Sequence, residues 1–186
     1  MGKPTELETD RLSLRQWKRS DLEPFAHLNA DPQVMAYFPA PLNRIESDAI
    51  ADRCQKLIQQ RGWGFWAVEL RERQTFIGFV GLHVPSAALP FSPCVEIGWR
   101  LAASHWGKGY ATEAANSALK FGFQQLGLQE VVSFTAIGNS RSRRVMERLG
   151  MSDTASNFEH PAVPQGHPLR EHALYRLSKE DWLSAQ

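Results

Sequence analysis

Residues 105–112 read His-Trp-Gly-Lys-Gly-Tyr-Ala-Thr and run on into an alanine-rich pattern with helical spacing. A glycine turn ahead of a helix leaves unpaired amides and the positive dipole end facing outward, the chemistry of an anion site. Gly107 and Gly109 would let a bulky phosphate approach bare backbone. A Walker loop needs Gly-Lys followed by Ser or Thr, but Lys108 is followed by Gly109. A dinucleotide fingerprint needs a third Gly or Ala where this chain has Thr112, and it follows a βαβ strand rather than an antiparallel run. Other polar candidates flank the turn. Glu96 and Arg100 lie in "VEIGWRL", and Asn139, Ser142 and four arginines (141, 143, 144, 148) lie in "NSRSRRVMERLG". Arg141 or Arg144 could pair with a phosphate, or the charge run could be a solvated face. Lys108 carries the same two readings. His160, His167 and His172 match no zinc spacing and lack cysteine partners, so no metal is expected. The loop "FEHPAVPQGHPL" that holds two of them reads as a site lining, together with Tyr37, Phe38 and Trp17, although aromatic residues usually belong to the core.

The elements that must position these groups follow from periodicity. "RLSLRQW" (11–17) alternates as a strand, and "SDLEPFAHLNA" is a helix with Ser20 or Asp21 as N-cap. A second helix is expected from Glu46 to about Arg61, ended by Gly62. "GFWAVEL" and "TFIGFVGLHV", joined by "RERQ", predict a β-hairpin, and 93–101 a third strand. The spacing of Ala111, Ala114, Ala115, Ala118, Leu119 and Phe123 predicts a helix from about Gly109 to Leu126. "EVVSFTAI" is a strand, and a helix capped by Asn139 or Ser140 stops at Gly150. Strands near 152–158 and 171–177 complete an α+β order.

The 186 residues suit one domain, 1–186, with its core at about 8–178. Apolar residues at 42% and charged residues at 22% describe an ordinary globular chain. A net charge of +1 gives no global field for nucleic acid or an anionic membrane. There is no signal-peptide pattern near the start and no apolar run long enough to span a bilayer. Cys54 and Cys94 have no motif spacing and read as small hydrophobes in a reducing cytoplasm.

"WGKGYATEA", "VEIGWRL" before it and "NSRSRRVMERLGM" after it occur in the order and spacing seen in the Gcn5-related N-acetyltransferase (GNAT) superfamily. The chain resembles the branch of the ribosomal-protein N-terminal acetyltransferases from "LETDRLSLR" to "HALYRL". Trp106 stands where the acyl-CoA loop pattern more often has Gln or Arg. The resemblance implies a mixed, mostly antiparallel sheet of six to seven strands, splayed at the coenzyme A site and flanked by four helices. It implies acetyl-CoA as cosubstrate, with the diphosphate held by Trp106, Gly107, Lys108, Gly109, Tyr110, Ala111 and Thr112. The pantetheine arm would lie along the backbone of Trp99, Arg100 and Leu101, with Asn139, Ser142 and Arg144 as further contacts. By the same resemblance Glu96 is the base and Ser142 the acid, because the usual tyrosine position holds Met146. Locally, Glu96 could equally be an ion-paired strand glutamate, Ser142 a first-turn serine, Asn139 an N-cap and Gly98 a packing notch.

The implied reaction is direct attack by a primary amine on the thioester. The acceptor would be a protein N-terminus or a small amine such as an amino acid, polyamine or antibiotic. A non-catalytic acyl-CoA sensor is the alternative that Met146 favours. A monomer or homodimer fits equally.

Overall fold

A computed structural model describes residues 4–185, so the ends of the expected 1–186 domain lie outside the described residues. The chain forms β1 (Leu7–Glu8), β2 (Leu12–Arg15), α1 (Leu22–Ala30), α2 (Arg44–Arg61), β3 (Phe65–Leu70), β4 (Thr75–His83) and β5 (Glu96–Leu101). It continues with α3 (Tyr110–Gln124), β6 (Glu130–Ala136), α4 (Ser140–Arg148), β7 (Ser152–Asp153), β8 (Phe158–Glu159), β9 (Glu171–Ser178) and α5 (Lys179–Ser184). Nine strands form one open sheet in the order β1-β2-β3-β4-β5-β6-β9-β7, with β8 also on β9. All pairings are antiparallel except β5–β6, which meet at a single parallel bridge, Glu96 to Val132.

The strand count exceeds the expected six to seven because β1, β7 and β8 are two-residue segments; the remaining six are the strands that periodicity marks. The stretch 152–158, read as one strand, is β7 and β8 separated by a bend at which Ala155 has φ +55°. A fifth helix, α5, also appears: Ser178 ends β9 and its hydroxyl caps the helix by accepting from the Asp181 amide. The second helix starts earlier than Glu46. Asn43 and Glu46 form a reciprocal capping box, which makes Arg44 the first helical residue.

β3 and β4 are the centre of the core, with Trp66, Ala67, Val68, Ile77, Val80 and Leu82 removed from solvent. α3 covers one face with Ala114, Ala115, Ala118, Leu119 and Phe123. Gly122 admits the Leu82 side chain, since a Cβ there would meet it at 2.9 Å. α1 packs against α2 and covers the other face, where Phe25 contacts Phe79 edge-on. Asp21 stands at the N-cap position of α1, as expected, but lends the helix no side-chain bond. Its carboxylate accepts from both terminal nitrogens of Arg15, at 2.7 and 2.9 Å, inside a buried cluster that Glu69 completes at 2.6 Å. A buried guanidinium demands that pairing, and it outcompetes a helix cap.

Candidate active site

The parallel contact between β5 and β6 is brief. Val95 O accepts from the Val132 amide and Ile97 O from the Ser133 hydroxyl, at 3.0 and 2.9 Å, and then the strands diverge. Alternate residues of a strand direct their polar backbone to opposite edges, so Trp99 presents its amide and carbonyl to the gap. Arg100 pairs with Phe79 of β4, which commits its backbone to the other edge. Leu101 O accepts from the Trp106 indole at 2.8 Å. The strand-edge contact expected of residues 99–101 therefore falls to Trp99 and to the Leu101 amide, which the same alternation turns to the gap, and Arg100 enters the site through its side chain.

A cleft of about 680 Å³ opens where the strands separate. Gly107, Gly109, Tyr110, Ala111 and Thr112 line one end. Gly107 and Gly109 have φ of +74° and +81°, which only glycine adopts without strain. Gly109 is the N-cap of α3 and offers no side chain to it. Glu113 N is the first amide of the helix to bond Gly109 O, which leaves those of Tyr110, Ala111 and Thr112 without a helical acceptor. Trp106 braces the turn from below, with Arg141 stacked 4.7 Å over its ring. Lys108 departs from its expected role. Its ammonium donates to Ser104 O at 2.9 Å, and it does not line the cleft.

The turn is fixed from the β1–β2 connection. Glu113 accepts from the Thr9 hydroxyl at 2.6 Å, the Arg11 amide at 3.0 Å and Arg11 Nε at 2.6 Å. Burial works against the Glu113 carboxylate, but these bonds hold its pKa below the ordinary value. Arg11 also donates to Lys108 O at 3.0 Å and lies over the Tyr110 ring.

Glu96, Gly98 and Arg100 alternate onto the α1 face of β5, opposite the face that α3 covers. Gly98 leaves a notch filled from one side by Phe65, whose ring would sit 3.1 Å from an added Cβ. Glu96 lines the cleft with no ion-pair partner among the described residues, and burial pushes its carboxyl up to about 7. Such a group is half ionised at neutral pH, the condition of an effective general base. The loop between α1 and α2 roofs this part of the cleft with Gln33, Tyr37 and Phe38. Tyr37 reaches Gly138 on the far wall, its ring 3.6 Å from where a Cβ would stand.

α4 supplies that far wall. The Asn139 carbonyl oxygen caps α4 by accepting from the Ser142 amide at 3.2 Å, and its amide donates to Thr135 Oγ1 at 2.9 Å. Both Asn139 and Ser142 line the cleft. Helical spacing sorts the arginines: 141, 144 and 148 face the cleft, whereas Arg143 turns to Tyr175 and Asp153. Met146 is 1% exposed, packed in the core away from the cleft.

His160 and His172 meet with rings tilted by 40° and centroids 4.9 Å apart, and line the cleft beside Phe134; His167 does not. Burial lowers the pKa of both imidazoles. Among the described residues no group of three or more His, Cys, Asp or Glu could hold a metal ion. Trp17 lies in the core and donates to Phe65 O at 2.8 Å, so it is not a cleft residue. Sequence reasoning missed Phe65, Phe79 and the Arg100 guanidinium. The same-face spacing of Glu96, Gly98 and Arg100 is the signal that could have found the last.

Comparison with known proteins agrees with this geometry. The family described as "Acetyltransferase (GNAT) domain" matches residues 11–152. FsC-acetyl coenzyme A-N(2)-transacetylase of Aspergillus fumigatus is 31% identical over 194 residues, covering 100% of this chain and 80% of that protein. A GNAT-family acetyltransferase from Bacillus anthracis shares the fold with a TM-score of 0.78 at 24% identity, over 95% of this chain and 99% of that one. The ribosomal-protein-S5-alanine acetyltransferase of Vibrio fischeri superposes with a TM-score of 0.73 at 18% identity, over 96% and 98% of the two chains. A family match across most of the chain, on a sheet that opens between β5 and β6 beside a glycine-capped helix, identifies this protein as a member of the GNAT acetyltransferase family.

Proposed function

We propose that this chain transfers an acetyl group from acetyl-CoA to a primary amine by direct attack, with both substrates bound together. The observation that carries the reading is Glu96: a carboxylate without a partner, raised to about 7 by burial, in the wall of the cleft that the splayed strands open. The residues present suit the coenzyme. The free amides of Tyr110, Ala111 and Thr112, with Arg144 and Arg148 nearby, are donors for a diphosphate. The Trp99 edge suits the amides of the pantetheine arm. The name of the A. fumigatus relative describes acetyl-coenzyme A as donor and a nitrogen as acceptor.

Glu96 takes a proton from the incoming ammonium, directly or through water; the neutral amine then attacks the thioester carbonyl, the N–C bond forms, and the C–S bond breaks with its electron pair leaving on sulfur. Ser142, in the α4 wall of the cleft, protonates the departing thiolate in this reading, though a thiolate with pKa near 8.5 leaves tolerably without help. Neither cysteine is poised as a nucleophile. Burial drives the Cys54 thiol up to about 12 and also raises Cys94, which agrees with transfer without an acyl-enzyme. Neutralising a lysine-like amine at pH 7 costs about 4–5 kcal/mol, against about 1 kcal/mol for an α-amine, so Glu96 matters most for the former. Met146 is buried and cannot donate a proton, so a non-catalytic sensor is the alternative that an assay of transfer has to separate.

The test mixes the protein with acetyl-CoA and a panel of amines and N-terminal peptides while free thiol is followed. Acceptor-dependent thiol release supports transfer. Acetyl-CoA binding in a calorimeter with no release across the panel refutes it.

A further inference from the structure

Two arginines, Arg15 buried and Arg100 half-buried with its Nε out of reach of solvent, keep very different company. Arg15 has two carboxylates, Asp21 at 2.7 Å and Glu69 at 2.6 Å. Arg100 has no ion-pair partner among the described residues, and burial pulls its pKa down to about 10. Its Nη1 donates to the neutral Asn29 Oδ1 at 2.7 Å, while its Nε is buried and finds no acceptor among the described residues. A buried cation without a counter-ion is costly, and so is each unsatisfied donor. The position is nonetheless built. Asn29 is itself fully buried and is held by donating to Ser47 Oγ at 2.9 Å. Phe38 lies over the guanidinium at 4.2 Å and Phe79 flanks it at 5.5 Å. An arginine braced in this way and facing a cleft is organised to receive an anion.

The face of the sheet decides which anion. Arg100 projects to the α1 side with Glu96, whereas the glycine turn caps α3 on the opposite side of β5. The coenzyme phosphates have their own donors there. Arg100 therefore faces the compartment left to the second substrate. Among the described residues Glu96 is the only acidic side chain lining the cleft, and Arg100 shares its face, which makes a poor receptacle for a polycation. About 13 Å of strand separates the Cα atoms of Glu96 and Arg100, with bare Gly98 between them. One elongated acceptor can thus place its amine toward Glu96 and its anion toward Arg100.

Building on the transfer reaction proposed above, we infer that the acceptor is a primary amine that also carries a carboxylate, and that the Arg100 guanidinium binds this carboxylate beneath Phe38. Arg100 is then a specificity residue that holds the acceptor while Glu96 serves its amine. Binding supplies the counter-ion that Arg15 has from its own chain.

The experiment compares matched pairs, α- and ω-amino acids and acidic dipeptides against their own carboxamides, as acceptors for the full chain with saturating acetyl-CoA. Each carboxylate should be favoured by roughly 10- to 100-fold in kcat/KM, expressed mainly in KM. Arg100→Gln should abolish that preference, and Arg100→Lys should retain part of it. The comparison on the unaltered protein stands by itself should Arg100→Gln fail to fold. Equal use of acids and carboxamides, preference for a carboxamide or a polyamine, or no turnover of any carboxylate-bearing amine overturns the inference. Acetyl-CoA affinity, measured separately by calorimetry, tells the two readings apart. Intact affinity with transfer to uncharged amines overturns only the Arg100 assignment, whereas no affinity at all overturns the transferase reading beneath it.

Discussion

Replacing Glu96 with glutamine tests the chemistry and the energetics of the cleft together. The substitution keeps size and hydrogen-bonding shape and removes the ability to take a proton. Loss of a positioned base should lower kcat/KM at pH 7 by about 100-fold or more. The pH profile separates this from a packing effect. With Glu96 present, the rate should climb to a plateau near pH 7, where its carboxyl titrates. Without it only the free neutral amine reacts, so the rate should keep rising about tenfold per pH unit toward the amine's own pKa, about 10.4 for a lysine-like acceptor. Stability should change in the opposite sense. Burial raises the Glu96 carboxyl from 4.5 to about 7, so between those values the folded chain holds a proton that the unfolded chain has released. Wild-type stability contributed by this group is complete below pH 4.5 and lost as pH rises through 7, amounting to about 3 kcal/mol at most. Glu96→Gln cannot ionise, so its Tm should match wild type near pH 4.5 and exceed it by roughly 5–10 °C at pH 8.5. A variant with wild-type turnover, or one with no pH-dependent gain in Tm, would refute the assignment of Glu96 as a buried base.

Gly109→Glu should abolish acetyl-CoA binding in calorimetry, because φ of +81° strains any side chain and a carboxylate would oppose the phosphates; undiminished affinity would remove the turn as the phosphate site. Ser142→Ala should slow kcat several-fold while acetyl-CoA affinity holds, since the main-chain bond from residue 142 to Asn139 survives; equal turnover would exclude it as the acid. Arg15→Ala should destabilise by about 3–5 kcal/mol, stranding Asp21 and Glu69, and a thermal melt within a degree or two of wild type would contradict the buried cluster.

What the sequence discloses here is what local chemistry determines. The glycine turn, the β3–β4 hairpin and the caps at Gly62, Asn139 and Gly150 are written in neighbouring residues, and the structure has each of them. The misreadings concern side chains whose partners periodicity does not reveal. Asp21 looks like a cap until Arg15 and Glu69 surround its carboxylate. Lys108 looks like a phosphate ligand until Ser104 O captures it, and Trp17 looks like a rim aromatic until Phe25 and Phe76 enclose it. Alternation along β5 puts Arg100 on the face of Glu96, but not what covers it: Asn29 and Phe38 come from elements 71 and 62 positions away. α5 escaped notice because six residues after a strand carry too little periodicity to register.

The bond from Arg11 to Glu113 joins residues 102 positions apart, and with Thr9 it fastens the ligand turn to the first hairpin. A nascent chain cannot finish this glycine turn until its opening segment has docked on the third helix. On the proposed coenzyme site, affinity for acetyl-CoA is a gauge of complete assembly, and protease trimming beyond residue 8 should blunt capture while the central β-structure survives.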